Sequence, residues 1–599
     1  MKFRFGHFLA TIQATAVALE CHPQGPIVPR PFNLNASDTF RHALDNLTKT
    51  FDAAFTGDIK GGWDVRNVSM SIGLVSLDQD KPSVPIWEYH HLASGNVNGT
   101  KSLNRDSQYL IGSVSKVISD AILLRSGVNI DDPVTDFISS LNSPSSLISW
   151  NNITLRALAS QLAGIPPNYG FSEYYYIKGY FESLGFPRIN DSAFEPCGII
   201  GLNGGCSKEQ FLQGMLNLYP VAPPMSRPVY SNIAYTLLMY ALESKTGRNF
   251  TQLLQDLITT PFNMPNTFPS GHPPSPDMND SLAVIPPMAN TWGSNYGDAA
   301  PGGGLVSSLA DLSSFLHAIL DRTVLDSPTE VREWLQPRSF AGSPHSFLGT
   351  PWEIFRPPPE LLFPEAEGAG HTVTILNKDG AAYGYRARIS VLDEYGVGIV
   401  VLTAGDQTAL TSIYDAALAV LVPAVDAAAR ESAGREYVGG FAGLSTAETG
   451  RVPVNATTEM DGVSLKLVGL SRNGTDLLAS LQEIWTVTMG AFLPSLEPQG
   501  VWRLYPAEIA RPGTSEDGRE LVLEDWRVTW EVELNPDTEL PGRGLSGYDC
   551  LSWTVVDWLY YGSEPTDRVV FVKDAQTGSV LGLEVPFLRT GSMEKVRLP

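Results

Sequence analysis

Basic residues are scarce in this chain: 41 Lys and Arg stand against 64 Asp and Glu in 599 residues, a formal net charge of -23. That surplus repels phosphate backbones, and no Lys/Arg stripe with interleaved aromatics offsets it locally, so nucleic-acid partners are excluded. Histidine is also sparse, with nine residues in all. His90-His91 and His371 lack the spacing of zinc ligands, so no metal and no cofactor is expected. Gly302-Gly303-Gly304 lacks the Lys and the strand context of a phosphate cradle and reads instead as a loop that permits close approach beside an active site. Long apolar runs are missing too: the stretch from Leu410 to Ala429 is broken by Asp415, Pro423 and Asp426, short of the roughly 18 continuous apolar residues of a membrane span. No solenoid-type repeat or long low-complexity segment is visible.

Cysteine is limited to four residues. Cys197 and Cys206 flank a Gly-rich loop and form the expected disulfide, which leaves Cys21 and Cys550 as candidates for a long-range bridge. An oxidising compartment fits the N-terminus, where Lys2 and Arg4 precede an apolar run from Phe8 to Leu19 and Ala16-Val17-Ala18 supplies small residues for cleavage, so 1–18 reads as a signal peptide. Ten Asn-x-Ser/Thr sequons begin at Asn35, Asn46, Asn67, Asn98, Asn152, Asn190, Asn249, Asn279, Asn455 and Asn473, the pattern of a glycosylated surface. The expectation is a secreted, extracellular protein with no membrane contact after signal cleavage. Composition leaves its oligomeric state open.

The length points to two domains. Ser69 to Val75 and Pro85 to Tyr89 read as an antiparallel hairpin around Asp78-Gln79-Asp80-Lys81-Pro82. Helical spacing follows at Ser113 to Ser126, Leu155 to Ala163, Lys208 to Leu218, Ile233 to Ser244 and Leu309 to Leu320. Strands return at Thr372 to Asn377, Arg386 to Leu392 and Gly398 to Thr403, before an apolar helix from Thr411 to Ala429. Strands at both ends of a helical middle imply one discontinuous α+β domain over 19–430. A linker through Asp426 to Gly434 leads to a β-rich domain over 435–599, of barrel or sandwich type. Its strand signals are Leu465 to Val468, Trp526 to Val532, and the hairpin Val569 to Val572 with Val580 to Val585.

Ser113-Val114-Ser115-Lys116 carries the chemistry. A serine hydroxyl needs a base to become a nucleophile, and a lysine three residues on shares its helical face. At a helix N-terminus the serine N–H is also free to stabilise an oxyanion. The same spacing at Ser592-Met593-Glu594-Lys595 falls in a strand-like tail and is assigned no function. Tyr230-Ser231-Asn232, after Pro228, offers Tyr230 as a second acid/base, because two adjacent ammonium groups favour the ionised phenol, and Asn232 to position the acyl group or Lys116. Lys378-Asp379-Gly380 lines the opposite wall if it lies on a strand: Ala381 N–H is then a second oxyanion donor, Gly380 allows close approach and Lys378 supplies charge. The alternative is a hairpin turn with a solvated lysine. Lys245-Thr246-Gly247 ends a helix, with Gly247 as its cap.

Taken in order, these elements resemble the serine β-lactamase and penicillin-binding-protein family, in particular its class C-like branch and the fungal secreted β-lactamase-like proteins. Further similarity lies at Asn129 to Val134, at Ile153 to Leu158 with Gly164-Ile165-Pro166, and at Gly302 to Ser308, and it covers roughly 65–425. The resemblance implies a β-lactamase/transpeptidase-like fold, an antiparallel sheet flanked by helices plus an all-α region, with the site between them. It implies catalysis by Ser113, Lys116 and Tyr230, and substrate binding by Asn232, Lys378, Gly380 and Ala381. One departure stands out: Asp379 replaces the usual Thr or Ser, and its carboxylate is expected to repel the substrate carboxylate that those enzymes bind, which disfavours penicillin or D-Ala-D-Ala. The aromatic segment from Asn168 to Cys206, with Tyr174-Tyr175-Tyr176, Tyr180, Phe181 and Phe186, either walls an apolar acyl pocket or is ordinary packing. The expected activity is serine hydrolysis of an ester or amide, on a small-molecule or peptide acyl substrate, through an acyl-enzyme at Ser113. The alternatives are acyl transfer to a small-molecule acceptor, as in fungal transesterases that resemble this fold, and ligand binding without turnover.

Overall fold

The structure, a computed structural model, describes residues 22–271, 281–364, 370–447, 451–530, 540–541 and 550–596. The signal segment 1–18, Cys21, Asn279, and Glu531 and Val532 of the expected strand lie outside the described residues. The chain divides into two compact units, Phe32–Ala428, and Ala429–Pro599 together with the N-terminal stretch up to Pro31.

In the first unit, helix α1 (Asp38–Thr56) starts where the Ser37 side chain accepts from Phe40 N and stops at Gly57, whose φ of 85° suits a residue without Cβ. It buries Phe40, Leu44, Leu47, Phe51 and Phe55 along one stripe. The strands are β1 (Val68–Ser76), β2 (Trp87–His91), β3 (Ser339–Phe340), β4 (Ser346–Leu348), β5 (Glu353–Phe355), β6 (Ile375–Ala382), β7 (Tyr385–Leu392) and β8 (Val397–Gly405). They form one antiparallel sheet in the order β2-β1-β8-β7-β6-β5-β4-β3. The expected β1–β2 hairpin is present.

Helices α2 (Ser115–Arg125), α3 (Ile233–Thr246), α4 (Leu309–Leu320) and the part of α5 (Ala409–Tyr437) up to Ala428 belong to the frame of this unit. Side chains on a strand alternate between faces, so two glycines show where α4 lies: a Cβ on Gly73 would meet Leu309 at 2.9 Å, and one on Gly398 would meet Leu316 at 3.1 Å. The other face receives α5, whose Tyr414 hydroxyl donates to Asn377 Oδ1 at 2.6 Å, and α1, whose Phe51 and Phe55 rings pack on Tyr89 and His91 of β2. The helical region shares one apolar core with the α4 face, built from residues such as Ile118, Ile122, Leu158, Leu237, Leu238 and Phe315.

The helices expected at Leu155 to Ala163 and Lys208 to Leu218 end earlier, at Ala159 and Met215, and two further boundaries differ in ways that matter for the site and the domain division. Helix α5 runs on through Pro423 and past the expected linker to Tyr437, since Asp426 to Arg435 is dominated by Ala, Glu and Arg, which favour helix. Strand β6 begins at Ile375 and continues to Ala382, so Lys378-Asp379-Gly380 lies in a strand; the hairpin turn falls at Tyr383-Gly384, where Gly384 has φ 91°.

The second unit is a closed antiparallel barrel. Strands β9 (Gly439–Ser445), β10 (Val452–Met460), β11 (Leu465–Arg472), β12 (Trp502–Thr514), β13 (Glu520–Trp530), β14 (Arg568–Asp574), β15 (Val580–Glu584) and β16 (Met593–Val596) pair in the order β10-β9-β16-β15-β14-β13-β12-β11, and β10 pairs back to β11. Inward residues such as Phe441, Leu465, Leu504, Trp526, Phe571 and Leu583 are buried. Helix α6 (Leu477–Val487) interrupts the strands, capped by Asp476 and buried through Leu478 and Trp485. Ser592 and Lys595 lie at and within β16, with no neighbouring base for the serine given by its helical spacing.

Candidate active site

Ser113 lies on a single 3-10 turn, Gly112–Val114, that feeds α2. Gly112 has φ 51° there, and a Cβ on it would stand 2.4 Å from Ala381 N, so the turn and β6 are in direct backbone contact. Gly380 fits equally tightly, since its Cβ would stand 2.1 Å from Ile111 O and 3.0 Å from Val114 N. Two glycines, one on each element, thus let the nucleophile turn and the strand edge meet.

Lys116 is the second residue of α2, three residues after Ser113, and is fully buried. All three of its ammonium donors are used: Ser113 Oγ at 3.0 Å, Asn232 Oδ1 at 2.8 Å, and the carbonyl of Gly302. Burial first, and the Lys378 cation second, hold this ammonium well below the usual lysine range, against the opposing pull of Glu353 and Asp120. The Tyr230 hydroxyl donates to Ser113 Oγ at 2.5 Å, and its ring lies 4.9 Å from Lys116 Nζ and 5.5 Å from Lys378 Nζ. Asn232 is fixed from behind, where its Nδ2 donates to Asn168 Oδ1 at 2.9 Å. The structure therefore brings Ser113, Lys116, Tyr230, Asn232, Lys378, Gly380 and Ala381 to one place.

β5 stops at Glu353, paired with Asn377, and leaves the edge of β6 beyond it open. Glu353 Oε2 accepts from Asp379 N at 2.9 Å along that edge, while Oε1 pairs with the Lys378 ammonium. Strand N–H groups alternate sides, so Ala381 N, two residues after Asp379 N, faces the same open edge beside the Ser113 turn.

The expected repulsion by Asp379 does not hold. Asp379 pairs in register with Arg388, on the face opposite Lys378, and its carboxylate is held by Arg386 at 2.6 Å and Arg388 at 3.3 Å. Its charge is offset there and directed away from the nucleophile.

The sequence reading missed Glu353, Asn168, the Gly302 carbonyl and Asp120. Asp120 follows Lys116 by four residues on α2, a spacing that was open to notice. It is fully buried, accepts from Tyr235 OH at 3.0 Å, and burial raises its carboxyl well above the usual range. Glu353 gives no such local signal, because only strand pairing delivers it to Lys378.

Cys197 and Cys206 are bridged. In the segment that precedes the bridge, Tyr174, Tyr176, Tyr180 and Phe186 are exposed, although Tyr174 packs on Tyr176 and Phe186 on Phe181, so these rings lie outside the apolar core. Gly247 caps α3 in the left-handed region with φ 70°, so Lys245-Thr246-Gly247 is structural. Among the described residues, no group of three or more His, Cys, Asp or Glu could hold a metal ion.

Fold and site together define a β-lactamase-like serine hydrolase: the Beta-lactamase family profile matches residues 86–423, and the chain belongs to that family. A second profile, described as "Beta-lactamase-like-like, C-terminal domain", matches 429–596. The chain is 41% identical over 588 residues to the "Beta-lactamase-like protein" of Arthroderma benhamiae, covering 96% of each. It is 24% identical over 580 residues to "Probable hydrolase M10" of a Phoma species, covering 94% of this chain and 89% of the relative. Among solved structures, the octameric penicillin-binding protein homologue from Pyrococcus abyssi aligns with a TM-score of 0.45 and 15% identity, over 81% of this chain and 98% of that one.

Proposed function

We propose that this protein is a secreted serine hydrolase that cleaves an ester or amide through an acyl-enzyme on Ser113. The observation that carries the reading is the convergence of two proton-handling groups on one hydroxyl, Lys116 Nζ at 3.0 Å and Tyr230 OH at 2.5 Å from Ser113 Oγ. Burial disfavours the charged form of Lys116, and as the neutral amine, without the proton it directs at Ser113 Oγ, Lys116 is the base that takes the Ser113 proton as Oγ bonds to the acyl carbon. Tyr230 then passes a proton to the leaving oxygen or nitrogen as that bond breaks. Ser113 N–H and Ala381 N–H bind the oxyanion of each tetrahedral intermediate. Water attacks the acyl-enzyme with the same groups in reverse, releasing the acid and restoring Ser113.

The exposed rings of the Asn168–Cys206 segment, Tyr174, Tyr176, Tyr180 and Phe186, favour an apolar acyl group, because they offer apolar surface that the protein itself does not cover. Export is supported by the Cys197–Cys206 bridge and by exposure of Asn35, Asn46, Asn98, Asn152, Asn190, Asn249, Asn455 and Asn473, as glycan attachment requires. The test is intact-mass analysis after incubation with p-nitrophenyl butyrate, with Ser113→Ala alongside. A butyryl adduct or turnover in the wild type and neither in Ser113→Ala is expected. Equal p-nitrophenol release by both proteins would remove Ser113 from the mechanism.

A further inference from the structure

Anions bind where a cation or an N–H donor is left unsatisfied, and the surroundings of Ser113 hold two ammonium groups. Lys116 has spent its three donors inside the protein. Lys378 is buried, with 2% of its side chain exposed, and its charge is matched by Glu353, whose own side chain is 38% exposed. The carboxylate of Glu353 also accepts from Asp379 N, on the β6 edge beyond its pairing with β5. One side chain thus occupies the cation and the donor that a carboxylate lying along β6 would use. Asp379 does not share this role, being held by Arg386 and Arg388 on the opposite face.

We propose that Glu353 fills the anion position of this site, so that the enzyme takes acyl donors whose acyl chain carries no carboxylate. This rests on the acyl-enzyme reading above. A donor carboxylate meets a partly exposed carboxylate in place of a free ammonium, and entry requires it to displace Glu353 from Lys378 or to stay unpaired in a partly desolvated cleft, both of which are costly. Glu353 is a specificity-determining residue here, and it also acts on the proton transfer from a distance. Lys116 is faced by Lys378, Glu353, Asp120, Tyr230 and Tyr235, and Glu353 is one of the two carboxylates that support its protonated form.

The experiment compares p-nitrophenyl butyrate with the p-nitrophenyl half-ester of glutaric acid, each kcat/KM divided by the ester's own rate with hydroxide. The wild type is expected to favour butyrate at least tenfold. In Glu353→Gln that ratio should fall at least tenfold, because Lys378 loses its anionic partner, and the acidic limb of the pH profile should move to lower pH. Asp379→Asn should leave the ratio where it was. A wild type that takes both esters equally overturns the proposal without any variant, and so does a ratio unchanged in a folded Glu353→Gln. Turnover that persists in Ser113→Ala is a different result: it removes the acyl-enzyme reading, whatever the two esters show.

Discussion

Replacing Gly380 with alanine tests whether close backbone contact sets the geometry of this site. The new Cβ would stand 2.1 Å from Ile111 O, whereas carbon and oxygen ordinarily approach to about 3.3 Å. Roughly 1.2 Å must therefore open between β6 and the turn carrying Ser113. The obstructing atoms are backbone, Ile111 O and Val114 N, on either side of the nucleophile, so no side-chain rotation relieves the clash. That displacement separates Ala381 N from the position beside Ser113. Misplacing a reacting group by about 1 Å costs on the order of a hundredfold in rate, and losing one oxyanion donor costs roughly a hundred- to a thousandfold. We expect kcat with p-nitrophenyl butyrate to fall at least about a hundredfold, with KM changed far less. Gly434→Ala is the matched control. Its Cβ meets nothing within 4 Å, and the residue lies inside α5; full activity and about 0.5–1 kcal/mol of added stability are expected. A folded Gly380→Ala enzyme with kcat near the wild type would refute the argument.

Three further outcomes can be checked. Asp311 is buried, accepts from Asn266 N at 2.7 Å and Thr267 Oγ1 at 2.8 Å, and burial pushes its carboxyl up to about 7. The folded value exceeds the unfolded one, so the stability it contributes is present at low pH and lost as pH rises toward 7, on the order of 4 kcal/mol in all; Asp311→Asn should gain in Tm on the wild type between pH 5 and pH 8, and parallel curves would contradict this. The bridge between Cys197 and Cys206 spans a sequence separation of 9, for which chain entropy gives about 2.5 kcal/mol. Cys197→Ser with Cys206→Ser should expose the aromatic segment to limited proteolysis, and an unchanged digest would count against a constraining role. Asn168→Ala frees the Asn232 amide that orients toward Lys116 and should lower kcat about five- to tenfold with Tm little changed; a KM effect alone would mean that Asn168 acts on substrate.

Where local pattern dominates, the sequence was readable. Helix α4 has the bounds that its apolar spacing indicates, and Ser113 with Lys116 shares a face because the helix requires it. Lys378-Asp379-Gly380 was ambiguous between turn and strand, since polar residues with Gly suit either, and pairing with β7 decides for strand. The repulsion assigned to Asp379 failed because residue type does not reveal which sheet face a side chain takes. Glu353 was invisible for a related reason: β5 is three residues long within a Pro-rich stretch, and its register against β6 is a tertiary fact. Helix α1 carried a readable apolar stripe that the sequence reading passed over.

The barrel closes through a pairing that ties distant parts of the chain together. β9, the first strand, lies between β10 and β16, with Phe441 opposite Lys595. Its second neighbour is made roughly 150 residues later in synthesis, and contacts of such separation form slowly. Until β16 arrives, β9 and β15 both present open edges, the surfaces through which immature β-proteins join one another. Substitutions that weaken Met593–Val596 are therefore expected to appear first as poor yield and aggregation in the producing cell, before any change in the chemistry at Ser113.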